Sequence, residues 1–327
     1  MIRPARRIPS PALILALASL AAPGMRFPRA LAHGGSGPPS LPVALRTRMI
    51  WDRDALEAVG IRSPVRLRYG ADGTLYVLDG ESRRVVALDP NGRALRVVGG
   101  YGSDEASLQI PVDLTLDRRG SLLVLDRGRG AVVAFDPAGR FLTSRALEEE
   151  ALEEGRVPGV RLLQDSFGSL WLLASSARDV MPLNDRLGPA RVSRFLEPRD
   201  SLLAPTLAAF APSGDVWVYD AGSRALRRFG SDGRLRIRAS LGDSTWAVAE
   251  PAELAADESG AVYVADPVGQ RILAIAPSGA PALERVLGGG TRNWRPTALA
   301  ATAGLLAAAD TGRDEIQILS ISREEGP

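Results

Sequence analysis

Short apolar runs separated by turn residues recur along the chain at a steady period. The first run, over residues 74–78, follows Gly73 and ends at Asp79. Four further copies also place an aspartate six residues after a glycine, at Asp126, Asp220, Asp266 and Asp310. Six prolines that precede successive runs lie 47, 47, 47, 46 and 45 residues apart, at Pro64, Pro111, Pro158, Pro205, Pro251 and Pro296. A period of this length predicts a repeat architecture.

Each repeat contains four strand-like segments. In the first unit these cover residues 64–68, 74–78, 84–88 and 94–98, with Gly, Asp and Pro in the turns between them. Four short antiparallel strands make one blade of a β-propeller. The sequence therefore predicts an all-β fold over residues 43–322, a six-bladed β-propeller of four-stranded antiparallel blades.

The two ends of the repeat array complement each other. The sixth unit stops after its third strand, over residues 315–321, so one strand is missing there. Residues 43–51 alternate as a strand does but have no hairpin partner nearby. We expect this N-terminal strand to complete the last blade, which removes the exposed sheet edges of an open ring.

The flanking residues predict export. Three arginines precede the apolar run 12–22, and Ala30-Leu31-Ala32 matches a signal-peptidase site, so residues 1–32 are predicted to be a signal peptide. Residues 33–42 are a flexible linker and 323–327 a tail. We expect a periplasmic or extracellular protein without a membrane span, since the apolar run is shorter than the roughly 20 residues that a spanning helix needs.

Composition excludes several kinds of chemistry. The chain has no cysteine and no lysine, and its single histidine, His33, precedes the repeats. Thiolate nucleophiles, Schiff-base lysines and serine–histidine pairs are therefore absent from the repeats. Five of the 40 basic residues lie in the predicted leader, which leaves 35 basic against 38 acidic residues. Because the mature chain is weakly acidic, we expect no nucleic-acid partner.

The repeats resemble the NHL repeat of secreted bacterial six-bladed propellers. The resemblance rests on a glycine, a Tyr-Val pair and an aspartate, followed by Arg-Ile or Arg-Val, and the segment from Gly260 to Ile272 is the clearest copy. It implies the fold but not one activity, because such propellers include lyases, lactonases and binding modules. The lyases depend on histidines on the propeller face, which this chain lacks. The gluconolactonase-like relatives use a Glu, Asn and Asp set around a metal, and no asparagine here lies in a first strand.

Topology predicts where a site would lie. We use "upper face" for the loops that lead into the first strands and those that join second to third strands. The recurring aspartates begin the second set of loops, and their repetition favours a turn device that accepts backbone N–H bonds over a metal site. Non-repeated residues two places after the blade-opening proline are better candidates: Arg66, Asp113, Arg161 (after one insertion), Leu207, Glu253 and Ala298. Charges paired with each other would explain them, and so would an anion-binding mouth.

The upper-face loops and the third unit add further candidates. Tyr101, Trp246, Trp294 and Arg295 lie in loops and suggest a rim for a sugar or peptide; the alternative is that the rings fold back on the blades. Ala174 replaces the recurring aspartate in the third unit, and the acidic run 148–154 precedes it. That run is either a solvated helical turn or a docking surface for a cationic partner.

These observations predict a binding or scaffold module that uses the upper face to engage a protein or a small polar or anionic ligand. The alternative is a carboxylate- or metal-dependent hydrolase or lyase at the channel mouth. Asp113 and Glu253 belong to blades two and five, on opposite walls, which is a poor arrangement for one metal. We expect a monomer with no cofactor and no metal site, and Ca²⁺ in the channel is the alternative left open.

Overall fold

Six antiparallel sheets make up the folded chain, and the computed structural model describes residues 43–147, 161–174, 179–183, 202–242, 247–286, 293–302 and 304–323. Five sheets have four strands, and the described residues give the third sheet three. The sheets lie within the compact unit Pro39–Pro327. The prediction of an all-β, six-bladed propeller is confirmed.

The strands lie close to the positions that the sequence pattern predicts. In each blade the first strand is innermost, and the later strands follow outward. Blade 1 consists of β2 (Pro64–Tyr69), β3 (Leu75–Asp79), β4 (Arg84–Leu88) and β5 (Ala94–Gly99). Blade 2 consists of β6 (Pro111–Leu116), β7 (Leu122–Asp126), β8 (Ala131–Phe135) and β9 (Phe141–Ala146). Blade 3 contains β10 (Arg161–Gln164), β11 (Leu170–Ala174) and β12 (Asp179–Pro182).

The second half of the ring repeats the plan. Blade 4 consists of β13 (Pro205–Phe210), β14 (Val216–Asp220), β15 (Ala225–Phe229) and β16 (Leu235–Ser240). Blade 5 consists of β17 (Glu253–Ala256), β18 (Val262–Asp266), β19 (Arg271–Ile275) and β20 (Pro281–Val286). Blade 6 consists of β21 (Ala298–Thr302), β22 (Leu305–Asp310), β23 (Glu315–Arg323) and β1 (Val43–Trp51). Pro251 and Pro296 precede their strands by two residues, whereas the prolines of blades 1, 2 and 4 begin theirs.

The N-terminal strand closes the ring, as the sequence predicts. β1 runs antiparallel to β23, from the pair Val43 and Arg323 to the pair Trp51 and Ile316. A short helix, α1 (Arg53–Ala58), leads from β1 into blade 1. The Thr311 hydroxyl of blade 6 donates to the Pro64 carbonyl of blade 1 at 2.7 Å. Strand pairing and this bond together join the last blade to the first.

Apolar clusters fill the space between every pair of neighbouring blades. The cluster between blades 6 and 1, for example, joins Leu67 and Val77 to Ala300 and Ala307. The second strands are buried along their whole length because a blade covers each of their faces, which explains their uninterrupted apolar runs. The outermost strands β9 and β16 instead alternate in exposure. No helix among the described residues is long and apolar enough to span a membrane.

Candidate functional site

The recurring aspartates are structural. Asp126 is fully buried and accepts backbone N–H bonds from Gln109 at 2.7 Å, Ile110 at 2.8 Å and Gly128 at 3.0 Å. Asp79 accepts four such bonds, from both the loop leading into its blade and its own turn. Asp79 and Asp126 therefore each tie two upper-face loops together, because the carboxylate accepts bonds from N–H groups of both loops.

Asp126→Ala should lower the free energy of unfolding by about 3 kcal/mol, since three backbone N–H groups lose their acceptor at roughly 1 kcal/mol each. Asp126→Asn keeps one acceptor oxygen and should lose about half as much. Urea unfolding followed by circular dichroism would measure both. The exposed Glu258 offers a control, Glu258→Ala, which should change stability by less than about 0.5 kcal/mol. Equal stability of Asp126→Ala and Glu258→Ala would contradict the structural role.

The non-repeated candidates occupy one level of the central channel. Each pairs with the residue before the recurring aspartate or its replacement: Arg66 with Leu78, Asp113 with Leu125, Arg161 with Leu173, Leu207 with Tyr219, Glu253 with Ala265 and Ala298 with Ala309. The equivalent register supports the alignment that the sequence spacing suggests, including the one-residue insertion before Arg161. Four of the six blades thus place a charged side chain at the same height in the channel.

Arg66 lies between the two carboxylates. Its Nε atom is 3.6 Å from Glu253 Oε2 and 3.9 Å from Asp113 Oδ1, and Arg68 Nη2 is 3.6 Å from the same Asp113 oxygen. Asp113 and Glu253 are almost completely buried. Although they belong to blades on opposite walls, the long arginine side chain reaches both. The two buried anions therefore both lie beside arginine cations.

These ion pairs leave hydrogen-bonding capacity unused. At 3.6 to 3.9 Å the nitrogen and oxygen atoms attract one another but are too far apart for hydrogen bonds. Among the described residues, the buried Nε atoms of Arg66 and Arg161, Nε2 of Gln164 and Oε2 of Glu253 have no hydrogen-bond partner. Three of the four atoms are donors. An acceptor placed in the channel would satisfy groups that the protein leaves unsatisfied.

The channel also carries a surplus of positive charge. Burial lowers the pKa of the Arg66 guanidinium, Glu253 and Asp113 raise it, and the nearby Arg161 and Arg68 lower it. Arginine stays protonated in proteins, so the lowered pKa reflects mainly the cost of burying this cation, to which the neighbouring cations add. We call Arg66, Arg68, Arg161, Asp113 and Glu253 the channel cluster. Its three arginines and two carboxylates leave one positive charge in excess.

A cavity of about 180 Å³ continues the channel beyond this level. It is lined by the second halves of the innermost strands of all six blades, so it lies toward the hairpins that join first to second strands. We call that side the lower face. Arg68 and Gln164 line the cavity and were not predicted from the sequence. Arg68 had a detectable signal, because it follows Arg66 by two residues and so points to the same side of the strand.

The residues predicted to form a rim have different environments in the structure. Trp294 is fully buried in the cluster between blades 5 and 6, so its ring folds back on the blades and does not form a rim. Tyr101 is 69% exposed, and its hydroxyl donates to the Glu81 carbonyl at 2.8 Å while Arg83 covers its ring. Arg295 is exposed and donates its backbone N–H to Asp310. Trp246, the acidic run 148–154 and residue 158 lie outside the described residues.

Comparison with solved structures gives the fold class. A streptogramin B lyase structure matches with a TM-score of 0.62 at 13% identity, over 86% of this chain and 98% of that one. A putative gluconolactonase matches with a TM-score of 0.57 at 16% identity, over 87% and 95% of the two chains. A PQQ-bound aldose sugar dehydrogenase from Streptomyces coelicolor matches with a TM-score of 0.57 at 14% identity, over 88% and 100%.

At these identities the likeness establishes the six-bladed propeller fold and nothing about activity. No family profile and no curated protein sequence matches the chain. Membership of the NHL family therefore stays a prediction. Among the described residues, no group of three or more histidine, cysteine, aspartate or glutamate side chains is arranged to hold a metal ion.

Proposed function

We propose that the chain is an exported, NHL-like propeller that acts as a binding module, and that it holds a small anionic ligand in its central channel. The observation that carries the proposal is the approach of Arg66 and Arg161, whose buried Nε atoms lack hydrogen-bond partners in the described part of the chain. Like charges at close range repel each other. An anion between them would relieve the repulsion and accept both hydrogen bonds.

The carboxylates favour binding over catalysis in this proposal. Asp113 accepts backbone N–H bonds from Leu114 and Leu162 at 2.9 Å and lies near two arginines. A carboxylate held in this way is poorly placed to act as a general base, because its oxygens already accept backbone hydrogen bonds and are not free to reach a substrate proton. The enzymatic alternative, a hydrolase or lyase at the channel mouth, has support only from the fold, which it shares with a lyase structure and a putative gluconolactonase.

Calorimetric titration of the mature chain with acetate and phosphate would test the proposal. Acetamide resembles acetate in shape but carries no charge, so we expect it to bind at least tenfold more weakly than acetate. Arg161→Gln should reduce acetate affinity at least tenfold and preserve the fold, because no carboxylate of the described residues forms an ion pair with Arg161. The exposed Arg238 on β16 provides the control, Arg238→Gln, which should bind acetate normally.

Acetate and acetamide of equal affinity, or equal binding by the Arg161 and Arg238 variants, would refute the channel as an anion site. Turnover of lactones or esters that disappears in Glu253→Gln would favour the enzymatic alternative instead.

A protein partner on the upper face is the second candidate. Four exposed apolar side chains lie in its loops, and none belongs to an interblade cluster: Tyr101, Ile110, Leu203 and Val268. Exposed apolar groups mark protein-binding surfaces where they form a contiguous patch, so this candidate requires that side chains from the four loops lie close enough together to form one. This surface is separate from the channel cavity on the lower face, so the two candidate functions do not exclude each other.

A further inference from the structure

The channel cavity has two chemically different walls. Among the described residues, its polar side chains come from blades 1 to 3, which contribute Arg68, Tyr69, Thr115 and Gln164. The described lining residues of blades 4 to 6 have apolar side chains, and most are alanines: Ala208, Ala209, Ala255, Ala256, Ala300 and Ala301. Ala256 and Ala301 are partly exposed, whereas the other four alanines are buried in the interblade clusters. Among the described residues, the cavity therefore offers side-chain donors on one side and the partly exposed methyl groups of Ala256 and Ala301 on the other.

From this division we infer that the cavity binds an amphipathic organic anion, a short aliphatic carboxylate. The carboxylate group lies at the end of the cavity that adjoins the channel cluster, where it faces Arg161 on one side and Arg68 and Gln164 on the other. The alkyl chain lies against the alanine wall, which we define by the partly exposed Ala256 and Ala301. The inference rests on the proposed function and adds the class of ligand and the face from which it binds. Both acceptor oxygens find donors, since Arg68 has a forked guanidinium and Gln164 Nε2 has no other partner in the described residues.

The other side chains near Arg68 are also compatible with a bound anion. Burial raises the pKa of Tyr69 to about 12, so its phenol stays neutral at physiological pH and does not repel a carboxylate. Asp113, the acidic group nearest to Arg68, is fully buried and already lies beside two arginines. Thr115 can donate a further hydrogen bond. No unpaired negative charge lines the cavity among the described residues.

The cavity volume limits the length of the ligand. A dry protein cavity of about 150 Å³ holds benzene, which has six carbon atoms. The 180 Å³ of this cavity therefore suits a molecule of roughly seven or eight non-hydrogen atoms, such as pentanoate or hexanoate. Alanine side chains leave this space free, whereas a leucine would fill much of it.

A homologous series of carboxylates tests the inference. We expect calorimetric titration of the mature chain to show affinity rising about fourfold for each methylene from acetate to hexanoate, the factor that corresponds to about 0.8 kcal/mol per buried methylene. The rise should then stop, because longer chains extend beyond the cavity. Hexanol, which lacks the charge, should bind at least tenfold more weakly than hexanoate.

Two variants test the polar wall and the alanine wall independently. Arg68→Gln should weaken acetate and hexanoate alike, by at least tenfold. Ala301→Leu should remove the gain from the alkyl chain and leave acetate binding unchanged, and Ala146→Leu, on an exposed position of the outermost strand β9, is its control. Ala301 is partly exposed but also packs against the cluster between blades 5 and 6, so thermal unfolding of Ala301→Leu must show that the core is intact.

The possible results separate the two proposals. If acetate binds and depends on Arg161 but longer chains bind no better, the anion site stands and the amphipathic site is refuted. If hexanoate gains affinity equally in Ala301→Leu and Ala146→Leu, the alkyl chain does not lie on the alanine wall and the inference fails. If no carboxylate binds, both proposals fail.

Discussion

A chain that begins at Asp52, and therefore lacks β1, should lose cooperative unfolding and aggregate. β1 buries Val43, Leu45 and Trp51, and burial of large apolar side chains contributes about 1.5 to 3 kcal/mol each. Their loss alone is comparable to the 5 to 15 kcal/mol of a typical domain. β23 would also become an exposed edge strand that carries Ile316 and Ile318, and unpaired apolar edges promote aggregation.

Size-exclusion chromatography and thermal unfolding would measure this effect. A chain that begins at Ser40 retains the whole of β1 and is the matched control, which should remain a monomer with one sharp transition. A synthetic peptide of residues 42–51, added to the shortened chain during refolding, should restore the transition by pairing with β23. A shortened chain that is monomeric and as stable as the control would refute closure by the N-terminal strand.

Arg66→Met should cause the second largest effect, a loss of about 3 to 5 kcal/mol in the free energy of unfolding. Methionine fills a similar space but leaves Glu253 buried without the cation 3.6 Å away, and breaking a buried ion pair costs about this much. Asp113 keeps Arg68 as a partner, so the cost arises mainly at Glu253. Urea unfolding at neutral pH would measure it.

A double variant distinguishes this electrostatic cost from lost packing. Arg66→Met combined with Glu253→Gln has no uncompensated charge on blade 5 and should recover at least half of the lost stability. Arg238→Met, at an exposed position, should cost less than about 0.5 kcal/mol. If the double variant is no more stable than Arg66→Met, the two side chains do not interact as the distance indicates.

The sequence was sufficient to predict the scaffold because the same strand pattern recurs in each repeat. A strand that is hard to assign in one repeat is supported by the equivalent segments of the others. The period of the prolines and aspartates defined the blades, and the count of strands at the two ends predicted that β1 pairs with β23. The turn role of Asp126 also followed from repetition, since a residue needed in every blade serves the blade. These features are strands and turns, and the local order of apolar and turn-forming residues determines where they form.

The candidate site could be predicted only in part. Spacing placed Arg66, Asp113 and Glu253 at one level of the channel, but it could not show that one guanidinium reaches two walls, because that depends on side-chain length and direction. The burial of Trp294 could not be predicted either, because a loop lacks the alternation of apolar and polar positions that indicates which side chains are buried. The cavity combines side chains from six blades, and its division into a polar and an alanine wall becomes visible only when the ring is closed.

The central claim is that a small organic anion binds inside the channel. Its most direct test is a crystal structure of the mature chain with 4-bromobutanoate, in which anomalous scattering locates the bromine atom independently of the carboxylate. We predict one bromine peak in the channel cavity beside Ala256 and Ala301, with the carboxylate within hydrogen-bonding distance of Arg68 and Gln164. A channel that holds only water, with bromine peaks confined to the outer surface, would contradict the account.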